Sequence, residues 1–193
     1  MADPSRLPIA PPPVVFRNAG PRDAAVLAAL GAKSFIDTFG HLYAPADLEA
    51  FLDNHREDKW ARELADPANA IRIGEADGAA VVYAKITTPP VMPYDPEPGR
   101  TAYELKQFYV LGPWQGSGIA DELMRWLLDT ARARRADDLY LSVFTQNNRA
   151  RRFYERYGFG VIGQWSFMVG QHADEDYIMR LRLRAASTHS GTP

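Results

Sequence analysis

Six residues in the middle of the chain, Gln115-Gly116-Ser117-Gly118-Ile119-Ala120, lie between an apolar run ending at Leu111 and a new apolar pattern that starts at Ile119. A strand, a glycine turn and a helix start in direct succession present backbone N–H groups that have no intrahelical acceptor. The helix dipole there favours an anion. Glycines at 116 and 118 would let a phosphate approach the backbone closely. The chemistry open to such a turn is phosphate or pyrophosphate binding; the alternative is a plain structural turn. Two well-known phosphate loops are excluded, because no Lys-Ser or Lys-Thr follows Gly118 and a dinucleotide fingerprint would need Gly or Ala where Asp121 stands. Asp121 and Glu122 in the first helical turn either disfavour a phosphate or simply stabilise the helix.

The elements that must position this turn follow from periodicity. Val14 to Arg17 reads as a short strand, and Asp23 to Phe39 as a helix with Val26, Leu27, Leu30, Ser34 and Phe35 at helical spacing. A second helix is expected over Pro45 to His55 and a third over Asp58 to Ala65, stopping before Pro67. Ile71 to Glu75 and Ala79 to Ile86, separated by Ala-Asp-Gly, form a hairpin pattern. Residues 88–100 hold five prolines and are expected to be a loop rimming a site. Tyr103 to Leu111 is the next strand. A helix with Ile119, Ala120, Leu123, Leu127 and Ala131 on one face follows, ending near Arg135. Leu139 to Phe144 reads as a strand, Asn148 to Tyr157 as a helix ended by Gly158, and Phe159 to Met168 and Tyr177 to Arg184 as the last two strands. The order gives an α/β (α+β) domain: a mixed sheet of about seven strands with a βαβ crossover inside it.

Composition narrows the function classes. A chain of 193 residues with 46% hydrophobic and 24% charged residues has room for one domain with a real core. The formal net charge of −2 points to neither nucleic acid nor an anionic membrane. With no cysteine there are no disulfides, no thiolate metal sites and no cysteine nucleophile. No window approaches a membrane span, and prolines stand where a signal peptide needs an apolar core, so a cytoplasmic protein is expected. Residues 1–13, with Pro4, Pro8, Pro11, Pro12 and Pro13, and residues 185–193 are expected to be loose ends around a domain at 14–184. The four histidines have no metal-ligand spacing, so no metal is expected.

A second motif decides between the readings of the turn. Asn147-x-x-Ala150-x-x-Phe153-Tyr154 followed by Gly158-Phe159 resembles the C-terminal motif of the GNAT superfamily of acyl-CoA-dependent N-acyltransferases. The superfamily's pyrophosphate turn, Gln/Arg-x-x-Gly-x-Gly/Ala, is met by Gln115 to Ala120. The resemblance spans roughly residues 14–184 and implies the GNAT fold with a βαβ acyl-CoA-binding core. Ser34 to Gly40, Glu104-Leu105, Phe167 to Gly170 and Asp174 to Leu181 further resemble the PaiA-type branch, described as polyamine acetyltransferases.

The resemblance implies acetyl-CoA as co-substrate, a small polyamine-like amine as acceptor and direct attack of the amine on the thioester; relatives are often dimers, so a homodimer is an expectation. An amine of pKa about 10.4 must lose a proton at pH 7, at about 4.6 kcal/mol, so a base is wanted. Glu104 matches a carboxylate that acts through water in many members. Backbone N–H groups around Phe108, Tyr109 and Val110 would bind the oxyanion and the pantetheine arm. Tyr154 is the expected general acid toward the departing thiolate. Gln115, Gly116, Ser117, Gly118, Ile119, Ala120, Asn147 and Arg152 are expected to contact the cofactor, with Arg152 reaching a phosphate. Asp37, Glu49, Asp53 and Tyr83 stand, by element position, near the acceptor entrance, and His41 could border it. Two alternatives stay open: a protein or peptide acceptor, and an acyl-CoA-binding sensor without turnover.

Overall fold

A computed structural model describes residues 12–184; the expected loose ends at 1–11 and 185–193 lie outside the described residues. Seven strands form one sheet in the order β1-β2-β3-β4-β5-β7-β6. They are β1 (Val15–Asn18), β2 (Ala70–Ala76), β3 (Ala79–Thr87), β4 (Ala102–Val110), β5 (Asp138–Phe144), β6 (Gly160–Val169) and β7 (His172–Arg182). Helices α1 (Ala24–Phe39), α2 (Pro45–Leu52) and α3 (Glu57–Ala65) connect β1 to β2. Helix α4 (Ile119–Ala133) crosses from β4 to β5, and α5 (Asn148–Arg156) leads into β6.

All neighbouring strands are antiparallel except β4 and β5, which run parallel and pair only through Ala102, Tyr103 and Glu104 with Asp138, Leu139 and Tyr140. Two local features explain why they then part. Against β3, Lys85 faces Gln107 while Ile86 faces Leu105, so Lys106 is an inserted bulge residue. A bulge bends its strand and increases its twist, turning the outer half of β4 away from β5. At the closed end Arg100 grips the fully buried Asp138 by a two-nitrogen ion pair. One end of the parallel pair is clamped and the other is open.

The alternation of β strands divides the side chains between two faces. Leu123, Leu127 and Ala131 of α4 pack with Val82, Leu105, Leu139, Leu141 and Met179 in the larger core, the stripe that helical spacing marks out. On the opposite face Leu27 and Leu30 of α1 pack with Trp60, Ile73 and Tyr83. The Pro-rich loop after β3 is tied down at two points. Glu104 accepts hydrogen bonds from the backbone N–H groups of Val91 (2.6 Å) and Met92 (3.2 Å), and Glu97 accepts from Arg180 (2.6 Å) and from Arg182.

Two boundaries differ from the sequence reading by more than two residues. The second helix ends at Leu52, and Asp53–His55 tightens into a 3₁₀ turn that buries His55. The last strand begins at His172 instead of Tyr177. Its first residues, His-Ala-Asp-Glu-Asp, look like a solvated turn, yet Asp174 and Asp176 point inward and are buried.

Candidate active site

Beyond Glu104 and Tyr140 the diverging strands open a cavity of about 1570 Å³ that is bordered by residues from both faces of the sheet. Its size exceeds the ~300–1,000 Å³ of a pocket for one small ligand, so it has room for two. On the α4/α5 face Gln115, Gly116, Gly118, Ala120, Arg149 and Tyr154 border it; on the other face Phe39, Tyr43, Phe51, His55, Asp174 and Asp176 do.

The glycine turn is built as a cradle of backbone donors. Gly116 and Gly118 hold φ of +84° and +89°, the left-handed region in which a side chain is strained. Gly118 is the residue from which α4 starts, and its carbonyl accepts from Asp121 and Glu122. The N–H groups of Gly116, Gly118, Ile119 and Ala120 have no acceptor among the described residues, whereas those of Gln115 and Ser117 are taken by Gly112 and Trp114. Gln115 is fixed by donating to the Val110 carbonyl (2.9 Å) and accepting from Arg149. The negative charge of Asp121 is answered within the fold, since its carboxylate accepts from the Tyr157 hydroxyl (2.6 Å) and lies 3.6 Å from Arg156.

The open edge of β4 leads from this cradle to the gap. The Leu111 N–H bonds back to Val81 on β3. Antiparallel alternation therefore turns the backbone groups of Tyr109 toward β3 and those of Phe108 and Val110 toward the gap. The Gln115 side chain bonding the Val110 carbonyl confirms the side. The Phe108 backbone groups and the Val110 N–H thus face the path between turn and gap, the Val110 carbonyl being taken by Gln115.

Tyr154 stands at the gap itself, 8% exposed and edge-on to Phe108 and Phe159. Burial, with a smaller contribution from neighbouring Tyr109, pushes its phenol well above the ordinary tyrosine value. A phenol raised in this way carries its proton at neutral pH. Asn147 caps α5, its side-chain oxygen accepting the Ala150 N–H at 3.1 Å, and also borders the cavity.

The far face carries the ionisable groups. Asp174 accepts from the Tyr43 hydroxyl and lies 3.3 Å from His172. Asp176, opposite Phe144 on β5, is held up at about 6 by burial and by the charge of Asp174, opposed by a hydrogen bond from Ser142. His55 is pushed down to about 4 by burial and by Lys85. Lys85 pairs with Glu63 at 2.5 Å, and burial lowers its pKa despite that partner. No group of three or more His, Cys, Asp or Glu side chains that could hold a metal is present among the described residues.

Several expected positions are moved by the structure. Arg152 is exposed and does not border the cavity; Arg149 and Arg156, on the face of α5 shared with Phe153, do. Ser117 turns back, its hydroxyl donating to Trp114 at 2.6 Å, and Ile119 packs against the large core, so of these two only the Ile119 N–H is left to a ligand. Glu104 borders the gap, but its carboxylate is occupied by the Pro-rich loop and by Lys106 at 3.4 Å. Of the acceptor-side candidates only Asp37 borders the cavity; Glu49, Asp53 and His41 do not, and Tyr83 is fully buried beneath Trp60. Sequence reasoning missed Asp174, Asp176, Tyr43 and Ser34. The signal that was there, Asp-x-Asp in a strand alternating in step with Ile178, is masked by Glu175 between them.

Comparison with known proteins agrees with this architecture. The model of the Acetyltransferase (GNAT) family matches residues 35–159. An uncharacterized N-acetyltransferase of Mycobacterium tuberculosis is 34% identical over 158 residues, covering 81% of this chain and 96% of that protein. Among solved structures, PaiA N-acetyltransferase from Thermoplasma acidophilum in complex with coenzyme A superposes with a TM-score of 0.69 at 16% identity, covering 88% of this chain and 99% of that one. YncA from Salmonella typhimurium with its cofactor acetyl-CoA gives 0.64 at 20% identity, covering 93% and 99%. The family match and the mycobacterial relative establish that the chain belongs to the GNAT family of N-acetyltransferases.

Proposed function

We propose that the protein transfers an acetyl group from acetyl-CoA to a small polycationic amine, with the two substrates entering from opposite faces of the sheet and meeting where β4 and β5 part. The observation that carries the reading is the single cavity bordered by free backbone donors on one face and by Asp174 and Asp176 on the other. The pyrophosphate takes the N–H groups of Gly116, Gly118, Ile119 and Ala120, with Arg149 and Arg156 at hand for the remaining charge. The pantetheine arm runs along the open edge of β4, and its thioester carbonyl meets the N–H groups of Phe108 and Val110 that face the gap.

The amine reaches the site as an ammonium, attracted by buried carboxylates and by the aromatic faces of Phe39, Tyr43 and Phe51. A carboxylate of the acceptor face takes one proton, the freed lone pair forms the C–N bond, and collapse of the tetrahedral intermediate breaks the C–S bond. Tyr154 gives its proton to the departing thiolate and is restored by the second proton lost from nitrogen. Holding amine and thioester in register supplies on the order of 7–11 kcal/mol of the acceleration. The PaiA neighbour, the Asp-Glu-Asp-Tyr-Ile-Met-Arg-Leu segment and the anionic acceptor end support a polyamine over a peptide N-terminus.

The test is thiol release from acetyl-CoA across polyamines, amino acids, aminoglycosides and N-terminal peptides, read with a thiol-reactive dye to which this cysteine-free chain adds no background. Spermidine or spermine should be the best acceptor. Turnover confined to peptides would overturn the polyamine reading.

A further inference from the structure

We propose that Asp176, and not Glu104, takes the proton from the incoming ammonium; the inference rests on the amine-acetylation reading above. Glu104 is bound on both oxygens. One accepts the Val91 and Met92 N–H groups of the Pro-rich loop, the other faces Lys106, and protonating it would loosen the loop it anchors. Asp176 stands on the same face of the sheet, opposite Phe144, where β5 has already left β4, and borders the same cavity. It is 7% exposed and makes no ion pair among the described residues.

The surroundings of Asp176 suit a proton acceptor. From its own strand Asp174 faces it, itself held by Tyr43 and His172. Phe144 on β5 and Trp165 on β6 lie across from it, and Ser142, Tyr109 and Tyr43 border the same cavity. None of these is a cation that would hold Asp176 ionised, and Asp174 repels its negative charge. The resulting value of about 6 leaves a carboxylate at pH 7 that is more basic than an exposed one. Tyr109, Tyr154 and Asp176 all border the gap. Independently, the Ser34 hydroxyl and His55 Nδ1 are buried on this cavity without hydrogen-bond partners among the described residues, and both residues are at least nine-tenths buried. Buried polar atoms of this kind are normally satisfied, and an amine supplies the N–H donors they lack.

In the step assigned to Asp176 an N–H bond of the ammonium breaks, an O–H bond forms on the carboxylate, and the electron pair remains on nitrogen for attack at the thioester carbon. The proton leaves to solvent once acetylamide and thiol have formed.

The experiment is the pH profile of kcat/KM between pH 5 and 10 for the wild type, Asp176→Asn, Asp176→Glu and Glu104→Gln, using whichever amine of the panel the wild type acetylates best. The wild type should rise to a plateau above about pH 6. Asp176→Asn should lose the plateau and climb about tenfold per pH unit toward the amine's own pKa, a deficit of roughly 1,000-fold at pH 7.4 that closes near pH 10. Asp176→Glu should restore part of the plateau, and Glu104→Gln should keep it while raising KM. A plateau retained in Asp176→Asn but lost in Glu104→Gln would overturn the assignment. If spermidine is inert and another amine is acetylated, the polyamine reading falls while the profile still decides the base. Calorimetric acetyl-CoA binding checks the folding of each variant, and where Asp176→Asn does not fold the Asp176→Glu profile decides.

Discussion

The two faces of the sheet do their polar work by different means. On the α4/α5 face the polar groups at the cavity are mainly backbone: a glycine turn, the first amides of a helix and the free edge of a strand, set among Leu123, Leu127 and Tyr154. On the α1–α3 face they are side chains, and Glu104, Lys85, His55, Asp174 and Asp176 are all buried there. Backbone groups are present whatever the side chain, whereas charged side chains depend on the residue type at each position. The acceptor face bears a stability cost for this, because buried ionisable groups lose hydration that their partners only partly return.

That contrast can be broken by substitution. The largest effect is expected at the meeting point of the faces: Tyr154→Phe should lower kcat by about 10²–10⁴-fold and leave acetyl-CoA affinity by calorimetry within about twofold. If kcat survives, the leaving thiolate is protonated by something else. On the cofactor face Leu127→Ala should remove about 2–5 kcal/mol of stability by urea denaturation, since Leu127 is fully buried in the larger core.

On the acceptor face the sign should reverse. Folding raises Asp176 to about 6, so between the unfolded carboxylate value and pH 6 the native state binds the extra proton and stability falls as pH rises. The penalty is complete above pH 6. Asp176→Asn should therefore raise Tm by a few degrees at pH 8 and leave it nearly unchanged at pH 4; a lower Tm at pH 8 would contradict the buried-charge account. His55 sharpens the same point with the opposite slope. Its folded value of about 4 lies below the unfolded 6.5, so its contribution is whole above pH 6.5 and is lost as pH falls toward 4. In His55→Gln the drop in Tm from pH 7 to pH 5 should be smaller than in the wild type, by a degree or two.

The same division decides what the sequence could show. The cofactor half is local: Gln115 to Ala120, the stripe on α4 and the Asn147 to Phe159 motif each lie within one stretch of chain, so spacing alone reveals them. Even there, the side on which Arg152 falls was not legible, because α5 offers three arginines in four positions and only packing tells which face the cavity. The acceptor half is assembled from Ser34, Tyr43, His55, Glu104 and Asp176, residues up to 142 positions apart in sequence (176 − 34). No period links them. Polar residues buried in a strand also invert the alternation by which strands are recognised, which is why the pattern marks β7 only from Tyr177 although the strand starts at His172 and buries both aspartates.

In the proposed arrangement donor and acceptor occupy opposite faces and meet at the parting of β4 and β5. Amide hydrogen exchange with CoA alone and with spermidine alone tests it directly. CoA should protect Phe108 to Val110 and Gly116 to Ala120, and spermidine should protect α1 near Ser34 and β7 near Asp174 to Asp176. Protection of one and the same segment by both ligands, or of neither the turn nor the β4 edge by CoA, would contradict the account.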